Sequence, residues 1–466
     1  MAFVRTATMV LVLLAGACSV RQDPELARLY APVATQPKHY PLIVIPGTMG
    51  SRLYRAEGGG EIWPGSVWSL IRGSEFAQLA LPIRGGEGIA GAPAFPELLT
   101  GGVFNEIAGR DFYGKLIRTL SDAGGYTCVP PDKVEATSDC VLFAWDWRKG
   151  MVVAAAELDA LVRRLRKLRN EPALKVDIVA HSAGGLLARY FVRFGGADVL
   201  DADEPRITFD GGRAVRQAVL IGTPNYGSIT ALQKSIMGID IGFSSMRPET
   251  IATMPGMFQL LPHPDRTWMI DIRGQRIDLD LFNVATWREN RWSIWDADAR
   301  ARLRAGFADR SAADAYLAAF EAHFSRQLAR AARFHRALSR RVIDSPTQYI
   351  IFGSACFETP ARCLLEKVDG QIRVRLHPRD IAHPVPGVPY ASLMLEPGDG
   401  SVTKASLLAR DSLDPSGARG DFPIAWSIFV CEPHEQLTAN PTFQDNLLNT
   451  LLYGVRQAAG NPMRVN

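Results

Sequence analysis

Cysteine is scarce in this chain, and long apolar runs and an excess of one charge sign are also missing. The 466 residues include only six cysteines, with no CxxC pair and no Cys/His cluster at zinc spacing, so the sequence predicts neither a metal site nor a cofactor. A formal net charge of only +4 gives no sign of the dense basic patch that a nucleic-acid partner would need, and none is expected. After the N-terminal region, no stretch reaches the roughly 18 uncharged apolar residues of a membrane-spanning helix.

The N-terminus instead has the pattern of an export signal. Arg5 precedes an apolar run over residues 9–17, which is too short to span a bilayer but fits a secretory signal peptide. Small residues before Cys18 favour a bacterial lipoprotein signal over residues 1–18, which ends at Cys18 as the lipidated first mature residue; ordinary secretion is the alternative. The polar residues 19–40 are predicted to form a tether. The expected location is the bacterial periplasm or cell envelope.

Export permits disulfide bonds among the five other cysteines. Closeness in sequence suggests the pairs Cys128–Cys140 and Cys356–Cys363, which would leave Cys431 unpaired. Sequence alone does not prove the pairing.

Short apolar, β-branched runs alternate with helical patterns from residue 41 to about 460. The runs lie at 41–46, 141–145, 175–180, 216–222, 347–353 and 425–430. Such runs are typical of strands buried on both faces, and they predict an α/β fold with a mostly parallel sheet flanked by helices. Two insertions interrupt the alternation, a loop-rich one at about 55–110 and a longer one at 224–345 with a helical pattern over 311–338.

The stretch VDIVAHSAGGLLARYF (176–191) contains a serine between a strand pattern and a helix pattern. Ser182 has small neighbours at Ala180, Ala183 and Gly184, as a nucleophilic serine in a sharp strand-to-helix turn requires. The alternative is an ordinary turn that contains a serine.

A serine nucleophile needs a histidine base and a carboxylate that orients it, here expected in the order Ser, acid, His. Of the eight histidines, only His434 follows the last strand pattern. The alternative for His434 is a helix start. His323 and His335, on a helical pattern, are expected to be solvated.

Asp399 is the predicted acid. It lies between Gly398 and Gly400 after an apolar run, and the glycines allow the sharp turn that would direct a carboxylate along the sheet edge. A plain Asx turn is the alternative, and Asp411 and Asp414 are rival acids.

An oxyanion needs two hydrogen-bond donors. The backbone N–H of Ala183 is one prediction, and Thr48, in the turn after the first strand pattern, is the other. A simple βα turn is the alternative for Thr48.

The ordered motifs IPGTMGSRL, IWPG, FAWDWR, AHSAGG, LIGTPNYGS and GDGSV, followed by a late histidine, resemble the lecithin:cholesterol acyltransferase family over about residues 41–455. The resemblance implies an α/β-hydrolase with a cap or lid and with Ser182, Asp399 and His434 as its triad. It also implies oxyanion donors at Thr48 and Ala183, and structural support from the Asp-Trp-Arg element at 146–148. Between Trp63 and Trp68 the chain lacks the cysteine of mammalian members.

The expected function is a serine-dependent lipid acyl ester hydrolase or O-acyltransferase on glycerophospholipid-like substrates, with an alcohol or sterol as acceptor. Alternatives are a carboxylesterase, lipase or polyester hydrolase without transferase activity, and a catalytically dead binding lipoprotein. Apolar residues in the insertions predict a movable surface that docks on the membrane, although they could equally pack on the core. These residues are Trp68, Met237, Phe243, Met254 and Phe258.

The lipoprotein hypothesis makes a direct prediction. Cys18→Ser should move the protein from the membrane fraction to the soluble fraction, because the acyl anchor has no other attachment point. Fractionation with immunoblotting measures this, and hydrolysis of dispersed substrate should be unchanged. Equal membrane retention of the variant would contradict the hypothesis.

Overall fold

The computed structural model describes residues 24–65, 74–107, 110–410 and 421–453. The strands in these ranges are β1 Leu42–Ile45, β2 Ser51–Arg55, β3 Glu61–Trp63, β4 Leu98–Val103, β5 Glu106–Ile107, β6 Arg110–Asp111, β7 Cys128–Val129, β8 Cys140–Leu142, β9 Val176–His181, β10 Val215–Ile221, β11 Ile239–Ile241, β12 Ser244–Met246, β13 Met269–Ile270, β14 Arg276–Ile277, β15 Gln348–Ser354, β16 Phe357–Pro360, β17 Cys363–Val368, β18 Gln371–Arg375, β19 Leu395–Gly398 and β20 Ile424–Val430. The α-helices are α1 Leu26–Ala34, α2 Gly114–Arg118, α3 Met151–Arg169, α4 Ala183–Phe194, α5 Ile229–Met237, α6 Pro248–Ile251, α7 Pro255–Phe258, α8 Val284–Glu289, α9 Ala297–Ala305, α10 Arg310–Ser339, α11 Tyr390–Met394, α12 Lys404–Leu407 and α13 Pro441–Tyr453.

A seven-stranded sheet in the order β20-β15-β10-β9-β1-β8-β7 forms the centre of the fold. Every neighbouring pair in it is parallel. Each of the six predicted strand runs is a strand of this sheet, and the predicted α/β class with a mostly parallel sheet is confirmed. Because the strands are parallel, the loops that follow β1, β9, β15 and β20 all leave from one edge of the sheet.

Alternating side chains of the strands face two separate cores. On β1, Ile43 and Ile45 pack with Leu158 of α3 and Leu187 of α4. The intervening Leu42 and Val44, with Leu116 of α2 and Leu447 of α13, belong to the core on the opposite face. A strand alternates its side chains between the faces, so burial on both sides explains the unbroken apolar runs of the sequence.

Part of the predicted tether is instead a helix packed on this body. Tyr30 of α1 is buried beside Leu448, and its hydroxyl donates to the carboxylate of Asp445 at 2.8 Å. The sequence pattern did not predict this contact, because the residues that Tyr30 touches are at the far end of the chain.

The cap is built from two excursions of the chain rather than one. The insertion at 224–345 contributes α5 to α10, and its strand β13 pairs in parallel with β17. The strand β17 belongs to a second excursion between β15 and β19, which the sequence pattern did not reveal. Buried residues from both excursions share one apolar core, including Phe258, Phe324, Cys363 and Val374.

His323 and His335 lie on α10, as the helical pattern predicted, but they are buried rather than solvated. Burial lowers the pKa of each to about 4. The prediction of solvated positions was wrong because these faces of α10 pack on other segments, as in the ring contacts of His335 with His263 and Phe282. None of the helices in the described ranges is both long and apolar enough to cross a bilayer.

Candidate active site

Ser182 occupies a sharp turn between β9 and α4. Its backbone has φ 53° and ψ −125°, a conformation that non-glycine residues rarely adopt and that stores strain. The Ser182 N–H donates to the Ile221 carbonyl at 2.8 Å, which fixes the turn to the neighbouring strand β10. The predicted strand–serine–helix arrangement is therefore present.

The small neighbours of Ser182 are required by close backbone contacts. A β-carbon on Gly184 would lie 2.6 Å from the Pro46 carbonyl oxygen, and one on Gly185 would lie 1.9 Å from the Thr223 hydroxyl. Both distances are too short for carbon, so the helix can begin here only with glycines. A β-carbon on Gly47 would likewise be 2.9 Å from the β-carbon of Ser182, so the loop after β1 packs directly on the serine.

The three residues predicted as a triad come together at the carboxyl edge of the sheet. His434 Nε2 is 3.0 Å from Ser182 Oγ, and its Nδ1 is 2.8 Å from Asp399 Oδ2. Since a carboxylate only accepts, Nδ1 carries the proton and Nε2 is left to accept the serine hydroxyl proton. The other carboxylate oxygen, Oδ1, accepts the N–H groups of Ser401 at 2.9 Å and Val402 at 2.7 Å.

The alternatives considered for Asp399 and His434, an Asx turn and a helix start, are both present in the structure. The bond from Ser401 to the Asp399 side chain closes an Asx turn, and His434 is the first residue of the 3-10 helix His434–Ala439. These local roles orient the two side chains and do not compete with their mutual contact. The rival acids Asp411 and Asp414 lie outside the described residues.

Burial and charge act in opposite directions on this pair. The side chain of Asp399 is only 1% exposed, and burial alone would raise its pKa; the charge of His434 and three hydrogen bonds, from His434, Val402 and Ser401, hold the pKa below its usual value. Burial alone would lower the pKa of His434, but the Asp399 charge and hydrogen bond raise it above its usual value. The site therefore favours an imidazolium facing a carboxylate, as follows proton removal from a serine.

The predicted oxyanion donors flank the serine. Ala183 is buried at the first position of α4, where a backbone N–H has no intrahelical acceptor. Thr48 follows Gly47 in the loop that packs on Ser182. Its hydroxyl is buried and has no hydrogen-bond partner among the described residues.

The disulfide prediction was half right. Cys128 and Cys140 are bonded, but Cys356 bonds to Cys431, and Cys363 is a buried free thiol. The prediction failed because closeness in sequence is not closeness in space. Cys363 lies on β17 in the cap, whereas Cys356 and Cys431 follow β15 and β20, which are neighbours in the central sheet.

This second disulfide lies beside the triad. Cys431 precedes His434 by one short turn, and Cys356 adjoins Phe357, which pairs with Gly398 next to Asp399. The bond thus joins the loop of the histidine to the loop of the acid. Sequence reasoning missed this, although an odd cysteine close to the histidine was a signal that could have suggested it.

The residues predicted to dock on a membrane divide into three groups. Phe243 is 90% exposed at the turn between β11 and β12, and Met237 is 64% exposed at the end of α5. Met254 and Phe258 are buried, which corrects their assignment to the surface: Met254 lies in the core beneath the sheet and Phe258 packs edge-on against Phe324. Trp68 lies outside the described residues.

The site has one further buried support, as the resemblance implied for the Asp-Trp-Arg element. Arg148 donates to both carboxylate oxygens of Asp146, at 2.9 and 2.7 Å, and to the Leu79 carbonyl at 3.2 Å. Trp147 is buried against Trp63. Trp63 is itself buried, and its ring N–H donates to the Met49 carbonyl at 2.7 Å.

Comparison with known proteins supports the fold. No protein-family model and no curated protein matches the chain. Among solved structures, a chain of the Tle4–Tli4 complex is similar with a TM-score of 0.53 and 15% identity, covering 91% of this chain and 100% of that one. EstA from Clostridium botulinum (TM-score 0.33, 12% identity, 92% and 91% covered) and the mature Bacillus licheniformis lipase BlEst2 (0.30, 11%, 90% and 94%) are more distant and carry no argument. The parallel sheet, the serine turn and the first likeness together show an α/β-hydrolase fold.

The position of the second disulfide predicts its effect on the site. Cys356→Ser should lower ester turnover per folded molecule by roughly 10- to 100-fold, because a displacement of about 1 Å in a catalytic group has effects of that size. Turnover of a soluble short-chain ester, normalised to folded protein by circular dichroism, measures it. Cys128→Ser, which opens the disulfide between the edge strand β7 and its neighbour β8, is the matched control and should keep its turnover. Equal turnover of the two variants would contradict the prediction.

Proposed function

We propose that this protein is a serine-dependent lipid acyl ester hydrolase or O-acyltransferase acting on glycerophospholipid-like substrates. The observation that carries the proposal is the continuous hydrogen-bonded series from Ser182 Oγ through His434 to Asp399. It stands beside a strained serine turn and the N-terminus of α4.

Each residue has a defined part in the proposed reaction. Ser182 Oγ attacks the ester carbonyl carbon while His434 Nε2 takes the hydroxyl proton, and the resulting oxyanion accepts hydrogen bonds from Ala183 and Thr48. As the tetrahedral intermediate collapses, His434 gives the proton to the departing alkoxide and an acyl-serine remains. Water or an alcohol then gives a proton to His434 and attacks the acyl carbonyl carbon, and His434 returns that proton to Ser182 Oγ as the acyl–serine bond breaks.

The lipid part of the proposal is supported by the surface near this site. Helix α5, which ends at the exposed Met237, carries Lys234, whose charge acts on His434. The β11–β12 hairpin follows at once and presents Phe243 to solvent. Exposed apolar side chains of this kind gain free energy when they are buried at a membrane interface. The family resemblance adds the expectation of phospholipid substrates and an alcohol or sterol acceptor.

The proposal also includes the predicted lipid anchor at Cys18. A lipidated Cys18 would hold the enzyme at the cell envelope, so its substrate would be met in the plane of a membrane. Product analysis with an acyl-labelled phospholipid, with and without a sterol, distinguishes transfer from hydrolysis: acyl sterol would establish transfer, and free fatty acid alone would establish hydrolysis.

The triad assignment makes the strictest prediction. Ser182→Ala, His434→Ala and Asp399→Asn should each reduce turnover by about four to six orders of magnitude, because the three side chains act as a unit. Fluorophosphonate labelling should occur at Ser182 and be lost in the first two variants. The buried His335→Gln serves as a control that removes another histidine. Near-normal turnover of His434→Ala, or labelling at a different serine, would refute the assignment.

The docking surface is tested with two substrates. Phe243→Ala and Trp68→Ala should each weaken vesicle binding and turnover on phospholipid vesicles roughly tenfold, since burying one aromatic side chain contributes about 1.5–3 kcal/mol. Hydrolysis of a soluble short-chain ester should be unchanged. Ile343→Ala is the matched control. It removes an exposed apolar side chain before β15, at the amino-terminal ends of the strands and so on the side of the sheet away from the triad. Parallel loss on both substrates would mean damaged folding, and unchanged vesicle turnover would place the docking surface elsewhere.

A further inference from the structure

Two buried polar residues beside the triad have no part in the reaction just described. His181 is the last residue of β9, directly before Ser182, and Tyr113 precedes α2. Both are buried, with 9% and 4% of their surfaces exposed. Burying a polar ring is costly unless its hydrogen bonds are made, so their partners need an explanation.

Their partners form a continuous series across the site. The Gly47 N–H donates to the Tyr113 hydroxyl oxygen at 2.8 Å. The Tyr113 hydroxyl lies 2.9 Å from His181 Nδ1, and His181 Nε2 lies 3.2 Å from the His434 carbonyl oxygen. The rings of His181 and His434 also pack together, with centroids 4.9 Å apart.

The chemical groups at the two ends of this series determine which atom is the donor in each of its hydrogen bonds. A backbone N–H only donates and a carbonyl only accepts. The Tyr113 oxygen therefore accepts from Gly47 and gives its own hydrogen to His181 Nδ1, which leaves Nε2 to carry the His181 proton toward His434. Burial, together with the neighbouring His434, lowers the pKa of His181 to about 3, so the ring stays neutral where the enzyme works.

The series joins three separate loops that must be in register for the reaction. Gly47 packs on the β-carbon of Ser182 and precedes the oxyanion residue Thr48. His181 is bonded covalently to the nucleophile. The main chain of His434 is held at its carbonyl by His181 and at its N–H by the Asp399 carbonyl, at 3.0 Å.

We propose that Tyr113 and His181 are positioning residues, which hold the oxyanion loop and the backbone of His434 in fixed register with Ser182. The proposal rests on the proposed function, since it assigns a role within that site. Neither residue touches substrate. Their effect is on the distance from His434 to Ser182 and Asp399.

Loss of the series should be visible in the pH dependence of the rate. The groups that face His434 are Asp399, its neighbour Glu435, Lys234 of α5 and His181. Asp399 raises the pKa of His434, and the base must be neutral to accept a proton, so activity falls as the pH drops through this raised pKa. If His434 moves away from Asp399, its pKa falls and the acid limb of the profile moves to lower pH.

The experiment compares four variants in fluorophosphonate labelling and in short-chain ester turnover across pH. Tyr113→Phe removes the central hydroxyl, and His181→Asn removes the donor to His434. His181→Gln places an amide donor near the Nε2 position and should retain more activity than His181→Asn. Tyr190→Phe is the matched control, because its buried hydroxyl also accepts a backbone N–H at 3.1 Å and donates to a carbonyl at 2.8 Å, but away from the triad.

We expect Tyr113→Phe and His181→Asn to lower kcat roughly 10- to 100-fold with little change in KM, and to move the acid limb to lower pH. Tyr190→Phe should lower only the thermal midpoint. Wild-type rates and pH profiles in both site variants would overturn the proposal, as would losses that match the folded fraction and those of Tyr190→Phe. Absence of labelling in the wild-type protein would instead overturn the proposed function.

Discussion

The close approach of three backbone segments at Ser182 is the constraint on which the rest of the site depends. The turn has a positive φ at a non-glycine residue, and it survives because β10, the loop after β1 and the start of α4 enclose it. Glycines at 47, 184 and 185 leave no room for a β-carbon. Strain of this kind persists only where its surroundings over-determine it, and the parallel sheet provides those surroundings. The position of the serine hydroxyl is therefore a property of the sheet as much as of the turn.

The acid and the base reach this serine by different routes. His434 arrives directly after the last strand, whereas Asp399 returns from a long excursion through the cap. Their contact survives burial because the carboxylate has its other oxygen satisfied by two backbone N–H groups, so no lone charge is left in the interior. The Cys356–Cys431 disulfide joins the loop of the histidine to the loop of the acid. The cap and the site are thus parts of one covalent and hydrogen-bonded unit.

The local sequence pattern was enough to predict the central sheet and to choose the three residues of the site. Buried parallel strands and the serine turn both impose strong local constraints on the sequence. Features decided by distant parts of the chain were not accessible in that way. Cys356 and Cys431 are separated by 75 residues, and β13 and β17 come from different excursions. Tyr113 could not be chosen among eleven tyrosines, since its role depends on a loop that folds back beside Gly47. The burial of Met254, Phe258, His323 and His335 likewise depends on what the cap places around them.

The short hairpin of β16 and β19 divides the chain into a part that can vary and a part that cannot. Its register runs from Phe357 opposite Gly398 to Pro360 opposite Leu395, so residues 361–394 leave and return at this pair of strands before they pack on the other excursion through β13 and β17. The hairpin ends at the catalytic-acid candidate Asp399, so changes of length within 361–394 are absorbed before they reach it. Changes within 361–394 can therefore alter the shape that this half of the cap offers to a substrate while Asp399 keeps its position. Chimeras of such proteins have their natural junctions at 360 and 395.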